Sequence, residues 1–400
     1  SGGARQRVMR GVLVAGEVAL SLMLLVGASL MIRTLISIQG ANLAFHPDRI
    51  LTLRIPFSDE RYRDPGRRAA FLQEVLRRMQ TVPGVLAVGI NGGLPPVYNA
   101  SLPVEVVGSA PQNGQRVMLD QSNGDYLKVM GISVVQGRFL SDQEVNARIH
   151  SVVVNQAFVR QYLGAGDALG RLVRVPLLRQ PPVSLADDSF QVVGVVKDTV
   201  NRVSTNETVP EMFVPFTIVN RADRLFVLGN GRPEALDKAV KAQVFAVDPG
   251  QPVMDDKPME AVLAENAYAR PRFNLLLFAV FAALGLVLAL FGIYGVISQA
   301  VAQQTREIGI RIALGAGFRQ VTGMMLGLGA RLVVAGIVVG LVGSLASVKV
   351  LAGLVRNVST FDPYSFAGVT MLLLAAGLFA SFWPARRAAR VDPVRALREE

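Results

Sequence analysis

Cysteine is absent from this chain of 400 residues, and histidine and tryptophan are scarce, with two and one copies respectively. Without cysteine there is neither a disulfide nor a thiolate metal site, so any exported part must fold without covalent cross-links. His46 and His150 lie far apart in the sequence and are interpreted as isolated surface residues. The sequence therefore predicts no metal centre and no disulfide framework.

Motifs for catalysis are missing as well. The chain contains no Gly-Lys-Ser/Thr phosphate loop, no Gly-x-Ser-x-Gly and no His-Glu-x-x-His, and the glycine-rich run 164–170 is interpreted as a surface loop. Two acidic pairs, Asp187-Asp188 and Asp255-Asp256, are predicted to lie in solvated turns, because adjacent side chains rarely face one cleft. We expect no catalytic residue and no cofactor.

What the chain has in excess is apolar sequence. It is 51% hydrophobic and 18% charged, with a mean hydropathy of +0.39, which is too apolar for an ordinary soluble protein. The run 275–297 carries no charged side chain, and as a helix it would be about 34 Å long, enough to cross a hydrocarbon layer of about 30 Å. The predicted transmembrane helices are residues 11–32, 273–298, 332–350 and 366–383.

Arginine is distributed unevenly around these spans. The loop 351–365 carries only Arg356, whereas the segments 1–10, 299–331 and 384–400 are rich in arginine. By the positive-inside rule these three segments are cytoplasmic, and the long segment 33–272 is extracytoplasmic. The net charge of +11 then reports topology, so nucleic-acid binding is not expected. The cytoplasmic arginines are Arg5, Arg7, Arg10, Arg306, Arg311, Arg319, Arg331, Arg386, Arg387, Arg390, Arg395 and Arg398.

The extracytoplasmic segment has a mixed α/β pattern. A strand at 50–57, a helix at 67–80 and a strand at 85–90 form one unit, and a similar unit recurs over 225–253. Two such units at opposite ends predict one subdomain built from both, with a strand-rich insert at about 112–218. Helices at 33–40 and 258–272 are predicted to extend the first two spans outward as a stalk, with a kink at Pro271 as the alternative.

The segment 303–316 is a short charged helix followed by glycine, between two membrane-length runs. Glu307 and Arg311 are spaced four apart in the favourable order for a helical ion pair. Ile308 is predicted to rest on lipid or on a protein partner, and Gly315 to help end the helix. The alternative is an interfacial amphipathic helix that touches only lipid headgroups.

Two features lie inside the spans. Gly336, Gly340 and Ser344 form a small-residue stripe that lets helices approach closely, either between two chains or within one chain. Glu17 lies about two turns inside the first span, where we expect a snorkelling or interhelically bonded carboxyl rather than a proton relay.

Several motifs together resemble one family. The cytoplasmic segment 305–316, the C-terminal run 384–398 and the pairing of 18–21 with 24–28 are similar to the corresponding motifs of MacB/FtsX-type ABC transporter permeases. Pro83-Gly84-Val85 and the run 194–198 match the outer-domain pattern of that family. The likeness is greatest to one half, the second, of the duplicated permeases found in Acidobacteria. Because the chain begins with Ser1 rather than methionine, we expect it to be a piece of a longer polypeptide.

The resemblance implies an α-helical membrane protein with four transmembrane helices plus a large extracytoplasmic α+β domain. Residues 33–272 would be a MacB-like periplasmic core, with a porter-like subdomain and the insert, and 273–393 an FtsX-like permease domain. It also implies that the 303–316 segment contacts a cytoplasmic ABC ATPase, which must be a separate chain because no phosphate loop is present. The residues expected at that contact are Arg306, Glu307, Ile308, Gly309, Arg311, Leu314 and Gly315.

The function implied is that of a permease subunit in the bacterial inner membrane, passing ATP-driven motion to the extracytoplasmic domain for export or extraction of a substrate. Other expected partners are membrane lipid, a second permease copy or tandem half, and a periplasmic protein. The alternative is a membrane signalling scaffold that regulates a periplasmic or cell-wall hydrolase. The motifs do not specify the substrate.

Overall fold

The computed structural model describes residues 2–40, 43–57, 60–108, 114–164, 166–203, 207–314, 317–351 and 362–388. The chain divides into two compact units. The first, the helical unit, comprises residues 1–37 and 270–400, and the second, the α/β unit, comprises residues 38–269.

The first helix and the last four helices belong to the helical unit, and the elements between them belong to the α/β unit. The α-helices are α1 (Gly2–Gln39), α2 (Pro65–Met79), α3 (Tyr126–Val129), α4 (Asp142–Ala147), α5 (Gln156–Phe158), α6 (Phe216–Val219), α7 (Asp237–Val247), α8 (Met259–Leu263), α9 (Ala269–Gln303), α10 (Thr305–Ala313), α11 (Phe318–Leu351) and α12 (Pro363–Ala388). The strands are β1 (Ile50–Arg54), β2 (Val85–Asn91), β3 (Ala100–Pro103), β4 (Glu105–Val106), β5 (Arg116–Ser122), β6 (Val134–Gly137), β7 (Ser151–Asn155), β8 (Leu172–Arg174), β9 (Ser189–Val196), β10 (Glu211–Pro215), β11 (Arg224–Gly229) and β12 (Met254–Pro258).

Four helices within the described residues are long and apolar enough to cross a membrane. They cover Val8–Gln39, Met259–Gln303, Arg319–Ala346 and Pro363–Arg387. The predicted fold class, four transmembrane helices plus a large α+β domain, is therefore confirmed. One end differs, because α12 continues through Pro384 to Ala388 instead of stopping where the apolar run ends. Proline removes one backbone donor but keeps a φ that a helix can accommodate.

The core of the helical unit is built around α1. Val14, Val18, Leu22 and Val26 recur every four residues, so they form one stripe, and all are buried. The small-residue stripe of α11 lies against this helix. A Cβ added at Gly336 would come within 2.6 Å of the Val18 Cβ. Of the two predicted alternatives for the stripe, the structure has packing within the chain.

The first sheet of the α/β unit joins strands from both ends of the segment. Its order is β12-β1-β11-β2, and every pairing is antiparallel. The faces of α2 that carry Phe71, Leu72 and Val75 are buried in the same core as β1 and β11. The amphipathic spacing that predicts this helix thus corresponds to a real buried face.

The second sheet has the order β3-β5-β10-β7-β9-β8-β4, with β6 also paired to β9. Strand β7 lies inside it and is buried along its whole length. Val152 and Val154 belong to one hydrophobic core, and Val153 belongs to the other, which also contains the first sheet. Because successive side chains of a strand point to opposite faces, this one strand contributes to both cores of the unit.

The acidic pairs do not lie in solvated turns, so that prediction was wrong. Asp187 is exposed, but Asp188 is fully buried and accepts hydrogen bonds from Arg179 at 2.9 Å and Arg174 at 3.3 Å. Neighbouring residues of an extended segment point to opposite sides, which separates the two carboxylates. Asp255 and Asp256 lie in strand β12 and pair with Arg224 and Lys241, respectively.

A second acidic feature was not predicted: a carboxyl pair inside the second sheet. Asp120 and Glu211 lie on the adjacent parallel strands β5 and β10, and both are buried. Asn99 donates to the Asp120 carboxylate at 2.6 Å, and Asn201 donates to that of Glu211 at 3.1 Å. Burial raises the pKa of both carboxyls, and for Glu211 the nearby charge of Asp120 raises it further.

This pair predicts an unusual pH dependence for the α/β unit. Above the ordinary carboxyl range the folded state holds a proton that the unfolded state has lost, so the free energy of unfolding falls as pH rises. Because Gln keeps the hydrogen bond without a titrating proton, Glu211→Gln should reduce this fall. In the intact protein, the protection of the β5 and β10 amides against hydrogen exchange is measured, with the rates corrected for intrinsic exchange. This protection should fall by up to about tenfold per pH unit in the wild type and by less in the variant.

A matched control is Glu144→Gln. Arg138 holds the pKa of Glu144 down to about 2, so that carboxylate stabilises the fold above its unfolded value near 4.5 and loses this effect only as pH falls. The Glu144→Gln substitution should leave the pH dependence of protection above the ordinary carboxyl range unchanged. Identical slopes for wild type and Glu211→Gln from that range upward would show that the pair does not titrate as described.

Candidate functional site

The predicted charged helix is present as α10, set between two membrane-length helices. Helix α9 ends at Gln303 and α10 starts at Thr305, so only one residue separates them. The Thr305 hydroxyl donates to the carbonyl of Val301 at 2.9 Å, and the Ile308 amide donates to that of Gln304 at 2.9 Å. The first bond satisfies a carbonyl at the end of α9, and the second satisfies the carbonyl of the junction residue. Because hydrogen bonding continues across the junction, α10 is joined closely to the end of the span.

Ile308 holds α10 against the rest of the helical unit. Its side chain is fully buried and clusters with Val321 and Met325 of α11 and with Ala385 of α12. The prediction that Ile308 rests on lipid or on a partner protein therefore gives way to packing within the chain. Full burial of an isoleucine contributes about 1.5–3 kcal/mol, enough to fix which face of α10 points outward.

The outward face carries four exposed side chains, which we call the α10 stripe: Glu307, Ile310, Arg311 and Leu314. Their spacing of three, four and seven residues places them in one line on a helix. Leu314 is 83% exposed and Ile310 is 43% exposed, although both are large and apolar. A line of apolar side chains flanked by charge is typical of a helix that binds another protein.

The two charged members of the stripe contact each other. Arg311 donates to the carboxylate of Glu307, and the same guanidinium contacts the Met324 sulfur of α11. Both charged side chains remain about half exposed, so the pair stabilises the helix by only about 0.2–0.5 kcal/mol. Its main consequence is a defined order of charges along the stripe.

The structure describes the other predicted contact residues only in part. Arg306 and Gly309 lie in α10, but their side-chain surroundings are not among the described features, and Gly315 lies outside the described residues. Ile310 was missed by the sequence prediction. Its position three residues after Glu307 and four before Leu314 was the available signal.

The stripe has the composition of a binding surface. Among the described residues, no three His, Asp or Glu side chains come together in a way that could hold a metal ion. The stripe itself contains one carboxylate and one guanidinium already paired, without a nucleophile beside them. What it offers a partner is an apolar contact at Leu314 and Ile310, with a charge pair to set the register.

Comparisons with known proteins cover both units. The model of the MacB-like periplasmic core domain matches residues 13–247, and that of the FtsX-like permease C-terminal region matches residues 279–393. The MacB-like model alone spans more than half of the chain. Residues 303–314, with the α10 stripe, fall inside the FtsX-like match.

Individual relatives are similar at lower identity. The macrolide export ATP-binding/permease protein MacB of Wolinella succinogenes is 25% identical over 72% of this chain and 44% of its own length. The pyoverdine export ATP-binding/permease protein PvdT of Pseudomonas aeruginosa is 25% identical over 69% and 41%. The chain thus spans less than half the length of these curated relatives. The crystal structure of the periplasmic region of MacB from Actinobacillus actinomycetemcomitans aligns with 58% of this chain and 97% of its own, with 16% identity and a TM-score of 0.37.

Proposed function

Because the chain belongs to the family that joins a MacB-like periplasmic core domain to an FtsX-like permease region, we propose that it is the permease component of an ABC exporter driven by an ATPase on a partner polypeptide. The observation that carries this proposal is the α10 stripe. An exposed apolar and charged line on a helix directly joined to a span is a surface through which a partner can move that span.

The proposed route for the motion starts at α10. Force applied to the stripe passes through Ile308 to α11 and α12, and through the short junction at Gln304 to α9. The α/β unit is connected covalently to α1 at one end and to α9 at the other. Movement of these two helices therefore reaches the extracytoplasmic domain without a conduction pore. The arginine distribution supports cytoplasmic termini and a cytoplasmic α10.

The substrate is left open in this proposal. The names of the two relatives refer to different exported molecules, a macrolide and pyoverdine, which share no obvious chemistry. Pairing with a second permease copy or a tandem half is part of the proposal, since an ATPase dimer offers two contact surfaces.

The experiment is charge reversal within the stripe, in the intact permease reconstituted with its ATPase. Glu307→Lys or Arg311→Glu should abolish the permease-stimulated part of ATP hydrolysis while membrane insertion and basal ATPase activity stay unchanged. Both side chains are half exposed, so reversal costs the permease little stability but places like charges against the partner. Unchanged stimulation in both variants would remove these residues from the coupling surface.

Two controls make the result specific. Arg319→Glu reverses an exposed charge at the start of α11, outside the stripe, and should leave stimulation unchanged. The exchange of both charges, Glu307→Arg with Arg311→Glu, rebuilds the ion pair inside α10. Restored stimulation would mean that the ion pair acts only within the helix. Continued loss of stimulation would mean that the partner recognises which charge occupies which position.

The export hypothesis and the signalling-scaffold hypothesis predict different binding partners for the extracytoplasmic domain. Capture of a stable hydrolase by the intact membrane protein would favour the alternative of a signalling scaffold. ATP-dependent release of a small molecule or lipoprotein would favour export.

A further inference from the structure

One carboxylate oxygen inside the first span has no hydrogen-bond partner among the described residues. Glu17 lies on α1 against α9, and a Cβ added at Gly292 would come within 2.6 Å of its Oε2 atom. This oxygen is buried and has no hydrogen-bond partner among the described residues. Of the two predicted states of this carboxyl, snorkelling or bonded between helices, the described side chains supply no bond to the Oε2 atom. A carboxylate at this depth is costly unless something pairs with it.

Glu17 lines an open groove of about 330 Å³ between α1 and α9. Gly292 and Gly295 leave one wall of the groove without side chains, so the backbone of α9 is accessible. Arg10 and Gln299 also line the groove, and Arg10 is exposed and makes no ion pair among the described residues. The groove thus holds one carboxyl, one guanidinium and one amide.

The spacing of the two charges excludes a direct contact. Arg10 and Glu17 are seven residues apart, so they lie on nearly the same face of α1, about 10 Å apart along its axis. Both side chains tilt toward the N-terminus, and the longer arginine side chain reaches further in that direction. A ligand that pairs with both must carry an anion at its Arg10 end and a cation at its Glu17 end.

The rim of the groove is apolar. Leu13 and Phe291 line it and are 59% and 71% exposed, on surfaces of α1 and α9 within the predicted spans. Since such surfaces face hydrocarbon in a membrane protein, a molecule in the groove can keep acyl chains against them. The groove therefore combines zwitterionic polar groups with an apolar rim.

We propose that this groove binds the headgroup of an aminophospholipid, with the phosphate on Arg10 and Gln299 and the primary ammonium on Glu17. The charges are complementary in sign. An anionic glycerol headgroup would leave Glu17 without a cation, and a choline headgroup has no N–H to donate to the carboxylate. The proposal concerns lipid recognition and does not depend on which substrate the protein exports.

The test uses the intact protein in nanodiscs that contain equal parts of phosphatidylethanolamine, phosphatidylcholine and phosphatidylglycerol. Native mass spectrometry after release reports which lipids stay bound. A charge-assisted hydrogen bond corresponds to about tenfold in affinity, so the wild type should retain phosphatidylethanolamine about tenfold over the other two. Glu17→Gln should lose this preference, and Arg10→Gln should lose retention of all three headgroups.

The matched control is Arg331→Gln, which removes an exposed basic side chain from α11 outside the groove and should keep the preference. The wild-type measurement alone can overturn the proposal. It would do so if phosphatidylethanolamine and phosphatidylcholine were retained equally, or if phosphatidylglycerol were preferred. Retained preference in Glu17→Gln, with normal folding by size exclusion, would overturn it as well.

Discussion

Leu314→Asp is expected to lower permease-stimulated ATP hydrolysis by about tenfold or more while leaving insertion and unfolding unchanged. Leu314 is 83% exposed, so it contributes little to the folded permease alone. If the ATPase covers it, burial of a leucine contributes about 1.5–3 kcal/mol, and an aspartate there would lose this and place a charge in an apolar contact. The measurement is the ATPase rate with saturating variant permease, compared with wild type.

The contrasting variant is Ile308→Asp, on the buried face of α10. Ile308 is fully buried against α11 and α12, so a charge there should disrupt that packing and lower the melting temperature. Coupling would be lost in both variants, but only Ile308→Asp would lose stability. Normal coupling by Leu314→Asp would favour the alternative in which α10 contacts only lipid headgroups.

The second large effect is expected from Gly336→Leu, which should destabilise the helical unit by about 2 kcal/mol or more. A Cβ at this position would lie 2.6 Å from the Val18 Cβ and 2.8 Å from the Ala15 carbonyl oxygen. Neither neighbour can move without displacing α1. Thermal unfolding in detergent, followed by intrinsic fluorescence, measures the loss.

Gly327→Leu is the matched control on the same helix. In the described part of the chain, no atom beyond the helix's own neighbouring backbone lies within 4 Å of a Cβ added at Gly327, so leucine there should be neutral or slightly stabilising through its higher helix propensity. If instead Gly336→Leu melts like the wild type but loses self-association, the small-residue stripe packs between chains. Equal melting and equal association for both variants would remove any packing role from the stripe.

Much of the fold could be predicted because it depends on local pattern. The four spans follow from long, predominantly apolar runs, since lipid offers backbone groups no hydrogen bonds and leaves helices as the only suitable form. The helix α2 and the strands β1, β2 and β11 follow from periodicity within single segments. The spacing of Glu307 and Arg311 also predicted that these two residues lie on one face of a helix, whereas Leu314 was expected at the contact only from the family resemblance.

The candidate site was only partly predictable, because exposure depends on what packs from elsewhere. Ile308 and Ile310 have the same side chain and lie two residues apart, yet α11 and α12 bury the first and leave the second in the exposed stripe. Asp187 and Asp188 show the same limit, since Asp188 is buried against Arg174 and Arg179, which come from other positions in the sequence, while Asp187 stays exposed. A linear pattern does not identify such partners.

The sequence by itself thus determined which segments enter the membrane, where the α/β unit is inserted between α1 and α9, and which short helix lies between two spans. These properties follow from hydrophobicity and periodicity, which are local. Only the tertiary structure decided that Gly336 packs on α1 of the same chain, that Ile308 faces inward, and that the Glu17 Oε2 atom lies beside Gly292 with no hydrogen-bond partner in the described part of the chain. Those outcomes depend on the approach of helices that are distant in the sequence, where a separation of a few ångströms decides between contact and exposure.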